Sequence, residues 1–196
     1  MLEVRVESSL TLEVKQSKFI TFILPIELLD KRLSDLKLEH PKARHFIVAW
    51  RRLNEFEQTL EYSTDDGEPK GTSGRPVLNV LRGVELINSA VIVVRYFGGT
   101  KLGTGGLVRA YSDAAKAVIE NAELLEFQLR YPLSFTVSYR HNPKIEYLLE
   151  SQNIVITQKD FQDISVEYQL LVTHKQREFL ESYEKSERII KINKNK

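Results

Sequence analysis

Five consecutive apolar residues, Ala90-Val-Ile-Val-Val94, constrain the fold of this chain more than any other feature. A strand that is apolar at every position has to be covered on both faces, because its side chains alternate between the two. The run is followed by a glycine-rich segment, Arg95–Arg109, and then by an apolar stripe at helical spacing from Leu107 to Ala122. We therefore expect a buried strand, a glycine loop and a helix that begins near Thr104.

The residues before this strand predict an antiparallel sheet with one helix. Residues 10–15 and 19–24 are expected to form a strand pair, and 28–39 a helix that ends before Pro41. Residues 44–52 and 56–62 are expected to form a hairpin. The first part of the chain is therefore predicted to be a mixed domain of strands and helices.

A turn-rich stretch without apolar residues, from 63 to 76, separates the hairpin from a short helix that Ser73 is predicted to cap. It contains three carboxylates, Asp65, Asp66 and Glu68. Three carboxylates so close together suit a magnesium ion or acid–base chemistry, but Asp-Gly is also a common turn. The sequence leaves both interpretations open.

The last third of the chain predicts the element order βαββαβ, the ferredoxin-like arrangement. Leu133, Phe135, Val137 and Tyr139 alternate with polar residues, so their side chains are expected to form a core. Asn142 is predicted to cap one helix, and a capping box at Thr173-His-Lys-Gln176 to open another. With its aromatic residues inside, this sheet is not expected to stack RNA bases.

Composition restricts the remaining classes of protein. The chain has 196 residues, a formal net charge of +1 and no cysteine, which excludes disulfides, thiolate metal sites and a cysteine nucleophile. No apolar run is long enough to cross a bilayer, so we expect a cytoplasmic protein without membrane contact. We expect two domains, 1–128 and 129–196. The histidines show no helical zinc spacing, and no bound metal or cofactor is expected.

The glycine loop has the layout of an anion site, because a helix N-terminus presents free N–H groups and a positive dipole end. It nevertheless fits neither nucleotide fingerprint. Thr104-Gly105 stands where a phosphate loop requires lysine and a hydroxyl residue, and a third glycine of the dinucleotide pattern is missing. The alternative is a structural role in which Gly105 and Gly106 let the helix pack closely on the sheet. Arg44-His45 is either the edge of a site or a surface pair.

Three segments together closely resemble the IMPACT family: Pro41–His45, Thr64–Pro76 and Arg95–Tyr111. The whole chain is similar to the bacterial two-domain branch of that family. The resemblance implies an α+β protein, with an N-terminal domain like domain 2 of ribosomal protein S5. It also implies a small ferredoxin-like C-terminal domain similar to those of elongation factor G.

The resemblance implies a link to translation, and we expect a non-enzymatic protein that binds a translation-related protein or RNA. No catalytic residue is assigned, and the oligomeric state is left open. The alternative is an enzyme similar to small-molecule kinases that holds a phosphate ligand on the glycine loop and uses Asp65, Asp66 or Glu68. The predicted binding residues are Arg44, His45, Asp65, Asp66, Glu68, Arg75, Arg95, Gly98, Gly99, Lys101, Gly103, Gly105, Gly106 and Arg109.

Overall fold

The apolar run Ala90–Val94 lies in the central strand of a five-stranded antiparallel sheet in the computed structural model, which describes residues 1–193. The chain divides after Phe127 into two domains. The elements of the first are β1 (Leu2–Val4), β2 (Ser8–Val14), β3 (Ser17–Pro25), α1 (Leu29–Glu39), β4 (His45–Leu53), β5 (Thr59–Thr64), α2 (Gly74–Gly83), β6 (Ser89–Tyr96), α3 (Thr104–Asn121) and β7 (Leu124–Glu126).

The large sheet has the strand order β2-β3-β6-β4-β5, and β1 pairs with β7 in a separate two-stranded sheet. Helices cover both faces of β6, as the sequence predicts. Val91 and Val93 pack in a core with side chains of α2 and α3, whereas Ile92 and Val94 pack on the other face with side chains of α1. Each buried Val or Ile stabilises the fold by about 1.5–3 kcal/mol, so this strand anchors the domain.

The second domain has the predicted order βαββαβ, with the strand order β11-β8-β10-β9 and every pair antiparallel. Its core contains Leu133, Phe135, Tyr168 and Leu180. The rings of Phe135 and Tyr168 stack inside that core at 5.2 Å. The elements are β8 (Tyr131–Ser138), α4 (Asn142–Ser151), β9 (Val155–Phe161), β10 (Ser165–Val172), α5 (His174–Glu187) and β11 (Ile190–Ile192).

Two predictions for this domain were wrong. Tyr139 is 44% exposed, because β8 ends at Ser138 and the tyrosine hydroxyl donates to the Gln162 carbonyl at the surface. Asn142 does not cap α4, since its side-chain oxygen accepts a hydrogen bond from the Tyr168 hydroxyl. The capping box of Thr173 and Gln176 at the start of α5 is confirmed.

In the described part of the chain, no helix combines the length and apolarity that a bilayer crossing requires.

Candidate functional site

Four connections lie at the same end of the five-stranded sheet, which we call the loop end. They are residues 15–16, 40–44, 65–73 and 97–103. They meet because β3 and β4 begin beside the end of β6, with Lys18 opposite Tyr96 and His45 opposite Arg95. The connection after β5 and the glycine loop after β6 share a cleft of about 340 Å³. The cleft is lined by Glu68, Pro69, Arg95, Phe97, Lys101, Leu102, Gly103, Thr104 and Leu107.

A buried ion pair forms one wall of this cleft. Arg95 is 5% exposed and pairs through its guanidinium with one carboxylate oxygen of Glu68, which is 9% exposed. The hydroxyl of Tyr111, which is fully buried on α3, donates to the same oxygen at 2.7 Å. Burial raises the pKa of Tyr111, and the hydrogen bond to Glu68 raises it further, so the phenol stays protonated and remains a donor. The Glu68 charge is therefore compensated inside the protein.

Arg95 retains binding capacity beyond this pair. Its Nε is buried and has no hydrogen-bond partner within the described residues. The guanidinium carbon lies 5.5 Å from the centre of the Phe19 ring and 5.8 Å from that of Phe97. Both distances are within the range of cation–π attraction, which holds the side chain in place without using its N–H donors. A buried N–H without a partner is costly, and an anion in the cleft would satisfy it.

His45 and Ser17 support this wall from two other strands. The His45 Nδ1 lies 2.8 Å from the Asp66 carbonyl, and its Nε2 lies 3.9 Å from the Glu68 carboxylate. His45 therefore lies against the Glu68 side of this wall without lining the cleft. The Ser17 hydroxyl accepts from the Gly98 N–H at 3.2 Å, which ties the glycine loop to the first residue of β3.

Asp65 caps helix α2, a role that the sequence assigned to Ser73. One oxygen of Asp65 accepts the N–H groups of Ser73 and Gly74 and the Ser73 hydroxyl, and the other accepts the Gly71 N–H. Burial alone would raise the pKa of Asp65, but these hydrogen bonds outweigh it and hold the pKa below its usual value. Asp66 accepts the Phe46 N–H at 2.6 Å. Both aspartates thus shape the loop.

The glycines act differently from the prediction. The close approach of backbone occurs at Gly98, where an added Cβ would lie 2.0 Å from the Gln16 backbone, and not at Gly105, which has open space around it. At Gly106 a Cβ would meet only the Leu102 side chain, at 3.2 Å. Gly99 is exposed on the loop, and Gly103 precedes α3, both with positive φ. Among these five glycines, Gly98 is therefore the one that close backbone packing requires, against the turn between β2 and β3.

The four remaining predicted residues separate into two groups. Lys101 lines the cleft, and Arg44 lies beside it with its N–H bonded to the Arg95 carbonyl. Arg75 lines a different groove, between α2 and α3, and Arg109 is exposed on α3 without lining the cleft. The structure thus brings together Glu68, Arg95, Lys101 and Gly103, and it leaves Arg75 and Arg109 outside.

The cleft is equipped to bind an anion rather than to hold a metal. The first intrahelical bond of α3 runs from the Leu107 N–H to the Gly103 carbonyl, so the N–H groups of Thr104, Gly105 and Gly106 precede it. Within residues 1–193 no group of three His, Asp or Glu side chains is arranged to hold a metal ion. Tyr111 is the functional residue that sequence reasoning missed, because its position in the apolar stripe of α3 indicated only a core role.

The comparisons with known proteins show the family of this chain. A family model described as the Impact N-terminal domain matches residues 15–119, which include all four connections of the loop end. A protein from Escherichia coli described as IMPACT family member YigZ is 38% identical over 157 residues, covering 76% of this chain and 75% of the relative.

An IMPACT family member from Haemophilus influenzae is 35% identical over 156 residues, covering 76% of this chain and 74% of its own. A solved structure described as a hypothetical protein is 28% identical, covers 100% of this chain and 97% of its own, and superposes with a TM-score of 0.67. The chain and that protein therefore share a two-domain fold of mixed strands and helices.

Proposed function

The chain belongs to the IMPACT family, and from that premise we propose that it is a cytoplasmic, translation-linked binding protein without catalytic activity. Its glycine-loop cleft receives an anionic group of a partner protein or RNA. The observation that carries this proposal is the shared cleft itself, where the buried Arg95 keeps an unpartnered Nε beside Lys101 and the N-terminus of α3. Donors without a partner, fixed in a concave site, are what an anion requires.

The charge distribution of the first domain supports the same proposal. The loop-end connections carry five cations without an ion-pair partner among the described residues: Lys15, Lys42, Arg44, Lys70 and Lys101. Their three carboxylates, Asp65, Asp66 and Glu68, all accept hydrogen bonds from the protein.

The connections at the opposite end, residues 5–7, 26–28, 54–58, 84–88 and 122–123, carry six glutamates and one arginine. Although the net charge of the whole chain is only +1, the connections at the loop end of the first domain attract anions and those at its opposite end repel them.

The kinase-like alternative gains no support from this geometry. It needs a carboxylate in the cleft that is free to bind Mg²⁺ or to accept a proton. Asp65 is saturated by N–H groups, and Glu68 is paired with Arg95 and Tyr111. Asp66 accepts the Phe46 N–H and does not line the cleft. We therefore retain the binding role.

We also propose finer fold assignments for the two domains. The first is similar to domain 2 of ribosomal protein S5, as family membership implies. For the second, an all-antiparallel sheet in the order β11-β8-β10-β9 with the connectivity βαββαβ supports a ferredoxin-like domain. We propose the domain limits 1–128 and 129–196, which differ by one residue from the division at Phe127.

The test is capture of partners from a bacterial lysate on immobilised protein, with and without nuclease, followed by mass spectrometry. We expect Lys101→Glu to lose the partners that the unchanged protein retains, because it inverts a charge in the cleft. Lys31→Glu is the matched control, since Lys31 is exposed at the start of α1, at the opposite end of the domain. Equal recovery by all three proteins, or recovery of nothing, would contradict the proposal. Sensitivity to nuclease separates an RNA partner from a protein partner.

A further inference from the structure

The β4–β5 hairpin presents an aromatic surface that the cleft does not use. On the face of the sheet shared with α1, Trp50 and Tyr62 lie opposite each other, with ring centres 5.7 Å apart and planes inclined by 21°. The Arg52 guanidinium lies 5.3 Å from the centre of the Trp50 ring, and Leu60 is opposite Arg52. We call Trp50, Arg52, Leu60 and Tyr62 the aromatic face.

Helix α1 does not cover this face. The core beneath α1 contains residues of β3, β4 and β6, and Trp50 packs at its margin, but no residue of β5 belongs to it. Tyr62 is 48% exposed and Leu60 37% exposed, and β5 is the outermost strand of the sheet. Together with Trp50, these side chains form one contiguous apolar patch, and contiguous apolar patches that are open to water mark interaction sites.

The strand positions of the aromatic face offer a cation and no carboxylate to a partner, whereas the acidic connection 54–58 lies beyond Arg52 and Leu60. The side chains that share this face in β4 and β5 include Phe46, Val48 and Thr64 and no carboxylate. The one carboxylate of β5, Glu61, points to the opposite face, where it pairs with Arg51 and Arg82. Arg44 precedes the same alternating row of β4 and connects the aromatic face to the loop end.

We propose that the aromatic face binds single-stranded nucleic acid. A base stacks on the open Tyr62 ring, beside Trp50, and Arg52 and Arg44 contact the phosphates. Aromatic side chains interleaved with arginine on an open sheet are the features by which proteins hold single strands, because every base offers a flat face for stacking. A duplex hides its bases and is not a ligand for this face. The proposal is independent of the cleft, because neither Trp50 nor Tyr62 lines it.

The experiment uses the single tryptophan of the chain as its own reporter. The full chain is titrated with a twelve-nucleotide oligouridylate, and Trp50 emission is recorded. We expect saturable quenching by the single strand and none by a duplex RNA of equal length. Tyr62→Ala should weaken binding by about 5-fold to 140-fold, because stacking contributes about 1–3 kcal/mol per base and 1.4 kcal/mol is tenfold. Arg52→Gln should also weaken binding and should flatten its salt dependence.

Tyr147→Ala is the matched control, because Tyr147 is 75% exposed on α4 in the second domain. Its affinity should equal that of the unchanged protein, and circular dichroism should show each variant folded. The proposal is overturned if the single strand gives no saturable quenching, if duplex RNA binds equally well, or if folded Tyr62→Ala binds like the control. Binding of the oligouridylate in the cleft alone would leave Trp50 emission unchanged, because Trp50 does not line the cleft, so this test and that of the cleft fail separately.

Discussion

Each domain contains a glutamate that accepts a tyrosine hydroxyl and pairs with a cation, but the two clusters differ in their exposure to water. In the first domain Glu68 pairs with Arg95 and Tyr111, and the Glu68 side chain is 4% exposed. In the second, Glu146 lies 2.7 Å from the Lys159 ammonium and 3.3 Å from the Tyr168 hydroxyl, and its side chain is 45% exposed. Both clusters join a carboxylate, a tyrosine hydroxyl and a cation, so comparing them shows how burial changes the strength of such an ion pair.

Burial turns a weak interaction into a constraint on the fold. Solvent screens the Glu146 pair, and exposed ion pairs are worth about 0–1 kcal/mol. In the interior, each charge depends on its partner, and removing one partner costs about 3–5 kcal/mol. Burial together with the Glu146 charge raises the pKa of Tyr168 to about 12, whereas the pKa of Tyr111 lies higher still. The buried ion pair therefore fixes the wall of the cleft, whereas the exposed pair of Glu146 and Lys159 contributes little to the stability of the second domain.

The largest effect is expected from Arg95→Met. It leaves the Glu68 carboxylate buried without its cation and should lower the free energy of unfolding of the first domain by about 3–5 kcal/mol. Urea unfolding followed by Trp50 fluorescence measures it, since the single tryptophan lies in that domain. Adding Glu68→Gln should restore part of the loss, because the unpaired charge disappears.

The control is Arg109→Met, on the exposed side of α3, which should change the free energy of unfolding by less than about 0.5 kcal/mol. A loss no larger than that of Arg109→Met would show that burial does not distinguish the two clusters.

An intermediate effect is expected from Asp65→Asn, because Asp65 is neither buried nor fully exposed. The amide cannot accept all the N–H groups that cap α2, so the variant should lose about 1–3 kcal/mol at pH 7. The folded pKa of Asp65 lies below its usual value of about 3.9, so its contribution is complete above that pH and disappears as the pH falls through the folded pKa. The difference in the free energy of unfolding between the two proteins should therefore shrink below about pH 4.

The control is Asp113→Asn, because Asp113 is exposed on α3. A difference independent of pH would contradict the assignment.

The smallest effect is expected from Lys159→Ala in the exposed cluster. Stability of the second domain, measured by hydrogen exchange of β10 amides, should change by no more than about 1 kcal/mol. Even that change should disappear in about 1 M salt. The hydrogen bond from Lys159 holds the pKa of Glu146 below its ordinary value, so the variant should return that pKa toward about 4.3, as an NMR titration would show. A loss comparable to that of Arg95→Met would mean that the exposed cluster is as constraining as the buried one.

The elements of both domains were largely predictable from the sequence, because periodicity and caps are local signals. The alternation in β8 and β10, the capping box at the start of α5 and the apolar run Ala90–Val94 each correspond to an observed element. The errors have a common cause. Ser73 and Asn142 were assigned as caps from their residue type, but in the folded chain Asp65 reaches α2 from eight residues away, and Asn142 binds a tyrosine of another strand.

The sequence alone determined that a buried strand, a glycine loop and a helix follow one another in the first domain, because an apolar run, five glycines and a helical apolar stripe occur in that order. It also carried the family signature, because motifs are a property of residue order. Only the tertiary structure decided that Glu68 is a buried partner of Arg95 and Tyr111 instead of a free carboxylate. It also decided that Tyr62 faces water while Phe135 does not. The reason is that burial depends on which distant segments cover a residue, and neither spacing nor composition contains that information.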